Sequence, residues 1–425
     1  MRRIARENGP CALLALGGCA ALAWLGLYGF AWNDYETEAR PAFDALVHGH
    51  LEQFLRLAPA YGGSLVERAP FALLAHLSGG GELAVYRLVA LPCLLASALL
   101  GVRLVARMRA EQRPPLHRAI ALAVCVANPI TLRALEVGHP EELLGACLCV
   151  GAVLLAAEQR GLWAGILLGL AIANKQWALL AAGPVLLVLP ARRRPLCLAA
   201  AAIVAGAILA PLALVGSGGF VAAARASATT PSPIFQPWQV FWFFGHHGAL
   251  VHGAFGVAKP DYRVGPAWAG VISHPLVAVV GIAVSIGLWL RERAVARIGV
   301  RQALLALALV MLLRCVFDTW DTEYYLLPFV IATLAWEVHA PVARPPVIAL
   351  AASALAWLSF QWMPEHFSPD LQAAVFLVWS LPLAAMLSRR LFAVRGARAE
   401  PLGSALGASS HEITVSVLSR PLSTS

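Results

Sequence analysis

The sequence predicts an all-α polytopic membrane protein of about 10–12 transmembrane helices, with an amphipathic helix on the outer membrane face after the first span. Three observations predict it. Of 425 residues, 60% are apolar and only 13% are charged, against roughly a quarter charged in soluble domains. Apolar runs of about 17–25 residues recur along almost the whole chain, the length a bilayer requires. Arginines cluster in the short stretches between those runs. A soluble protein of this size cannot hide so much apolar surface. Soluble enzymes, secreted disulfide scaffolds and coiled coils are therefore excluded.

The net charge of +9 does not indicate nucleic acid as a partner. Lys175 and Lys259 are the only lysines among 32 basic residues, and the arginines follow the positive-inside pattern instead of forming one basic groove. The eight cysteines lie in or beside apolar runs without zinc-site spacing and read as small hydrophobes.

The elements follow in order. The apolar run 11–32 is too long for a signal-peptide core and reads as a retained first span. An outer segment, 33–82, contains a stretch over 35–57 with Ala39, Ala42, Phe43, Leu46, Val47, Leu51, Phe54 and Leu55 at spacings of three and four, an amphipathic helix. Spans are then expected at 83–106, 119–134, 142–157, 161–174, 176–190 and 196–215. A second outer segment, 216–267, is rich in Gly, Pro, Trp, Phe and His. Further spans are expected at 268–290, 302–317, 324–339, 347–362 and 371–388. Residues 1–395 thus form the transmembrane domain, and the Ser-, Ala- and Gly-rich tail, 396–425, reads as a disordered cytoplasmic segment. Most basic residues fall on the side of the N-terminus and most acids on the other, so both termini are expected in the cytoplasm.

Charge at membrane depth is costly, at least about 2.5–3.5 kcal/mol near a helix centre. Here polar clusters gather at the outer ends of the spans. Asp34 and Glu36 follow span 1, and a carboxylate at the membrane surface is placed to act as a base. His139 and Glu141 share a turn with Gly138 and Pro140. Lys175 interrupts an apolar stretch, and an anionic phosphate is its natural partner, with snorkelling as the plain alternative. Arg314 precedes Asp318, Trp320, Asp321 and Tyr324; an ion pair of Arg314 with Asp318 one turn later is the plain reading there. His246 and His247 lie with Trp238 and Trp242 in the second outer segment. No third ligand at a recognisable spacing accompanies the histidine pair, so a carbohydrate or lipid groove suits them better than a metal. These clusters are distant in sequence yet fall on one side, which points to an outward-facing site pairing a carboxylate base with cations, next to lipid.

Three stretches carry a family resemblance: Asp34 and the segment through Pro59-Ala60-Tyr61-Gly62; Gly138-His139-Pro140-Glu141-Glu142-Leu143-Leu144 with Trp163 through Ala171 and Lys175; and Trp320 through Pro328. On these residues the chain resembles the GT-C membrane glycosyltransferases of family 87, which are similar to actinobacterial polyprenyl-phosphate-mannose-dependent mannosyltransferases. The likeness spans roughly residues 30–335. Family members often show Gly-Gln-x-Asn where this chain has Gly138-His139-Pro140-Glu141, so the polar contacts made there differ.

The resemblance implies transfer of a sugar, mannose by analogy, from a polyprenyl-phosphate donor to a lipid or glycan acceptor on the extracytoplasmic face of a bacterial plasma membrane, with inversion. Asp34 then takes the acceptor proton, with Glu36 as the second candidate. Lys175, His139 and Arg314 stabilise the donor phosphate. Glu141, Asp318, Trp320, Asp321, Tyr324, His246 and His247 are candidate substrate contacts. No cofactor is expected, and a metal is left open, with none as the leaning. Two alternatives stay open: a transporter or flippase for a lipid-linked or anionic substrate, and an inactive relative that only binds a lipid-linked sugar. A transporter needs polar residues continuing through the inner halves of the spans, where Glu337 and Arg103 are the main exceptions to Leu, Ala and Val.

Overall fold

A computed structural model describes residues 34–215, 220–222, 235–247, 251–252, 258–259, 261–291, 293, 298–341 and 344–393, together with Cys11, Leu14, Gly17 and Gly18. The expected span at 11–32, apart from those four residues, and the tail from 396 lie outside them. The described residues are overwhelmingly helical, as the apolar patterning predicts. Their one strand ladder is an antiparallel pair of two-residue strands, β1 (Val251–His252) and β2 (Ala258–Lys259).

The first described segment departs from expectation. A π-helical turn, Tyr35–Ala39, leads into α1 (Arg40–Val47); the chain bends at His48–His50, and α2 (Leu51–Leu57) and α3 (Gly62–Leu77) follow. The stretch expected as one amphipathic helix over 35–57 is thus two, and 33–82 holds a further helix, α3, where one amphipathic helix was expected. Its apolar face is also not left to lipid. Phe43, Leu46, Phe54, Leu55 and Leu65 form a small core with Tyr86 and Val89 of α4 (Glu82–Ala110). The amphipathic period reports which face is buried but not what buries it.

The span expected at 119–134 is broken into α5 (Pro115–Val126) and α6 (Pro129–Val137). Asn128 makes the break: its Oδ1 accepts from the Ile130 amide at 2.8 Å and from Ser353 Oγ at 2.9 Å, and Pro129 starts the new helix where no amide donor is needed. Next come α7 (Glu141–Ala157) and α8 (Gly161–Asn174). Lys175 is extended (φ −151°, ψ 133°), and a 3-10 turn, Gln176–Ala181, leads into α9 (Ala182–Val188). The remaining helices are α10 (Arg194–Val215), α11 (Ala267–Arg291), α12 (Val300–Phe317), α13 (Leu327–Val338), α14 (Val347–Trp357), α15 (Met363–His366) and α16 (Pro369–Phe392). Among the described residues, seven helical stretches are long and apolar enough to cross a membrane. The shorter apolar α8 and the 176–188 stretch accompany them. The chain is a multi-pass membrane protein.

The centre of the bundle is α7, α12 and α13. Every residue of α13 is buried, as a helix apolar on all sides should be. The faces of α10 and α11 present Ile203, Leu214, Val271, Val279 and Ile282 outward, surface that lipid would cover. Helices α8 and α10 approach closely where α8 carries Gly165 and Gly169. A Cβ on Gly165 would collide with the Cys197 carbonyl, and one on Gly169 would lie 2.7 Å from the Ala201 carbonyl; small residues four apart permit such contact between membrane helices. All seven cysteines among the described residues are buried, and none of them is in a disulfide.

Where α13 hands over to α14, charged groups serve as helix caps. Arg113 Nη2 donates to the carbonyls of Val338 (2.8 Å) and Ala340 (2.7 Å). The Glu337 carboxylate accepts from the amides of Ile348 (3.2 Å) and Ala349 (2.8 Å). These satisfy backbone groups that helix ends leave unpaired, a need that is acute where water is scarce.

Candidate active site

The turn between α6 and α7 sets the site. Gly138 closes α6 at φ +108°, in the left-handed region. A Cβ there would lie 2.6 Å from the Tyr35 amide nitrogen. This close approach brings His139 against the start of the π-helical turn, where Asp34 stands. Gly138→Ala should therefore cost about 1–3 kcal/mol from overpacking and backbone strain. The expected result is a lower melting temperature of the solubilised protein; an unchanged one would mean that the Tyr35 backbone can retreat at no cost.

From that turn a chain of alternating charge runs into the protein. His139 Nε2 lies 3.2 Å from Asp34 Oδ2, and its Nδ1 lies 2.7 Å from Glu141 Oε1. Glu141 meets Lys175 Nζ at 3.1 Å and Arg68 Nη2 at 3.3 Å. Lys175 also faces Glu142 at 3.5 Å, and Glu142 faces Arg314 Nη1 at 3.8 Å while accepting from Trp177 Nε1 at 3.3 Å. Asn174 Nδ2 donates to the Glu141 carbonyl at 2.8 Å, which ties the end of α8 to the start of α7.

Aromatic rings line the same groups. Lys175 sits 4.1 Å over the Tyr61 ring, and Arg314 lies 4.3 Å over Tyr325 and 4.9 Å over Trp177. His139 is flanked by Tyr324 at 4.5 Å and Tyr61 at 5.4 Å between ring centroids. Burial by itself would lower the His139 pKa. The Glu141 charge and hydrogen bonds to Asp34 and Glu141 outweigh it, and the imidazole is pushed up to about 9.

The 318–325 turn forms a neighbouring wall. Asp318 Oδ1 accepts from the Trp320 amide at 2.9 Å, and Oδ2 lies 3.6 Å from His274 Nε2. Asp318 is buried, which would raise its pKa, yet His274 and Arg314 hold it below the usual carboxylate range. Asp321 is the reverse case: burial and the adjacent Asp318 push its carboxyl well up. Arg314 reaches across helices to Glu142, so the local pairing with Asp318 that the four-residue spacing allows is not its ion pair. Trp320 remains partly exposed.

The structure thus brings Asp34, His139, Glu141, Lys175 and Arg314 into one connected set, with Tyr324 against it. It places Glu36 elsewhere, exposed and 4.0 Å from Arg40. His246 and His247 join a different set. His246 pairs through its backbone with Val264, and His247 lies 3.4 Å from Asp370. Asp370 also takes two 2.7 Å bonds from Arg263 and one from Trp242 Nε1, a clasp fastening the 235–247 turn to the start of α16.

Arg68 escaped the sequence reading. It is an isolated arginine in a segment expected outside, and only the packing of α3 shows that it is buried against Glu141. Glu38, one turn after Asp34, joins Asp34 and His139: one ligand atom from each of the three lies within 4.8 Å of the others. That trio could hold a metal ion. As a whole, the cluster offers a partly exposed carboxylate, buried cations and aromatic walls, groups able to stabilise charge in a setting poor in water.

The family model of glycosyltransferase family 87 matches residues 63–317 of the chain. That stretch includes His139, Glu141, Lys175 and Arg314; Asp34 and Tyr324 stand on either side of it. No curated protein matches the chain.

Proposed function

The chain belongs to glycosyltransferase family 87, and from that premise we propose that this membrane glycosyltransferase moves a sugar, mannose by family analogy, from a polyprenyl-phosphate donor to a lipid or glycan acceptor on the extracytoplasmic face. The observation that carries the reading is the connected set Asp34–His139–Glu141–Lys175, which starts at a partly exposed carboxylate and ends among buried cations.

In this reading Asp34 takes the proton of the acceptor hydroxyl as its oxygen attacks the anomeric carbon. The new carbon–oxygen bond forms while the bond to the phosphate oxygen breaks, and the electron pair leaves with the polyprenyl phosphate. One displacement inverts the anomeric centre, and no sugar–enzyme bond is needed. His139, Lys175 and Arg314 lend positive charge to the leaving phosphate, where a water-poor setting strengthens such contacts. The excess of arginine at the opposite ends of the spans supports the outward orientation. Glu337 is spent on a helix cap and Arg103 is paired with Glu158, which weighs against a polar transport path.

The test is transfer of labelled mannose from polyprenyl-phosphate-mannose in membranes carrying the protein. A labelled product of inverted anomeric configuration is expected. Silence with a panel of lipid-linked sugars, alongside transfer from a nucleotide sugar, would overturn the proposed donor.

A further inference from the structure

Asp34 and Glu38 lie one turn apart at the start of the first described helical segment, and His139 reaches them from the turn between α6 and α7. We propose that Asp34, Glu38 and His139 together hold a divalent cation of the Mn2+ or Zn2+ type, which supplies the positive charge facing the donor phosphate.

Three observations support the site. First, the two carboxylates face each other with little to neutralise them. Their ligand atoms and that of His139 lie within 4.8 Å of one another, and among the described residues neither is ion-paired to a lysine or arginine; His139 is the basic partner of Asp34. Second, His139 is oriented as a metal ligand would be. Its Nδ1 is held by Glu141 at 2.7 Å, leaving Nε2 turned to Asp34. A carboxylate behind the far nitrogen fixes the ring and raises its basicity. Glu141 is buried and itself held by Lys175 and Arg68, so the ring does not depend on the ion for its position. Gly138, pressed on the Tyr35 backbone, brings the ring to the carboxylates.

The third observation is the charge balance. Lys175 is shared between Glu141 and Glu142, Arg68 is spent on Glu141, and Arg314 faces Glu142. A donor phosphate approaching Asp34 therefore meets carboxylates at the mouth of the site and cations already engaged behind them. A divalent ion on the trio reverses the sign at the mouth. Two carboxylates with one imidazole suit Mn2+ or Zn2+ better than Ca2+ or Mg2+, which favour all-oxygen ligands. The remaining coordination positions open to the exposed side, because Asp34 is only partly buried and Glu38 is exposed.

The role given to the ion rests on the transfer reading above; the site itself does not. The experiment is titration of EDTA-stripped protein in nanodiscs with Mn2+, free ion being read by electron paramagnetic resonance. One Mn2+ per chain is expected, with binding at least ten-fold weaker in Glu38→Gln and in His139→Gln. Glu52→Gln, which alters an exposed carboxylate paired with Arg56, should bind as the wild type does. Glu38 is at the surface, so its variant isolates the ligand from folding. No stoichiometric binding by the wild type, or binding that survives in the Glu38→Gln/His139→Gln double variant, would overturn the site. A protein that binds one Mn2+ but transfers no sugar upholds the site and defeats the transfer reading; one that transfers sugar while binding no ion does the opposite.

Discussion

Asp34→Asn should abolish sugar transfer, lowering the rate by roughly 10²–10⁴-fold, the usual contribution of a positioned general base. The substitution keeps the shape of the side chain and its reach toward His139 Nε2, 3.2 Å away, but removes the basicity. Asp34 is partly exposed and lies at the edge of the packed layer, so the protein should fold and reach the membrane at wild-type levels. Initial rates in membranes matched for protein content decide the matter. A variant that retains more than about a tenth of wild-type activity would remove Asp34 from the base role. Glu36, which faces Arg40, would not inherit it on this geometry.

The second large effect should fall on stability. Glu141 is buried completely, and three cationic groups converge on it: His139 at 2.7 Å, Lys175 at 3.1 Å and Arg68 at 3.3 Å. Glu141→Ala leaves Arg68 buried without that carboxylate and frees the His139 ring. Removing one partner of a buried ion pair typically costs about 3–5 kcal/mol. A marked fall in the melting temperature in nanodiscs is expected, with Glu141→Gln falling less because it preserves packing and one acceptor oxygen. If Glu141→Ala melts with the wild type, the network is no structural hub, and Lys175 and Arg68 must find other partners when it is gone.

The membrane spans were legible in the sequence because a bilayer imposes one rule on every residue it touches. Runs such as 268–290, 302–317 and 371–388 correspond to α11, α12 and α16. Asn174-Lys175-Gln176 was readable as an interruption, and Lys175 is indeed extended between two helical pieces. Less legible was the layer formed by α1, α2 and α3. Its helical period is plain, but a period does not say whether lipid or protein covers the apolar face, and here Tyr86 and Val89 of α4 do. The break at Asn128 depends on a bond from Ser353, more than two hundred residues away.

The candidate site divides in the same way. Asp34, His139, Glu141, Lys175 and Arg314 stood out singly, because an ionisable group near a membrane span is expensive and has to be explained. Apart from His139 and Glu141, two residues apart in one turn, their pairing could not be read, since the other bonds in the chain join different elements. Arg314 shows this most clearly. Its spacing to Asp318 favours a local ion pair, yet it crosses to Glu142. Arg68 gave no signal at all.

What the sequence determined by itself is the class of protein, most of its spans and the residues whose cost in a membrane demands a use. The reason is that hydrophobic length and charge placement are local quantities that the bilayer judges one segment at a time. What only the tertiary structure decided is who meets whom: that Glu141 joins His139, Lys175 and Arg68, that Glu38 stands beside Asp34, and that His246 and His247 belong to the clasp on Asp370. Such contacts fall off over a few ångströms in space and are indifferent to separation along the chain, so only the packing of the helices could set them.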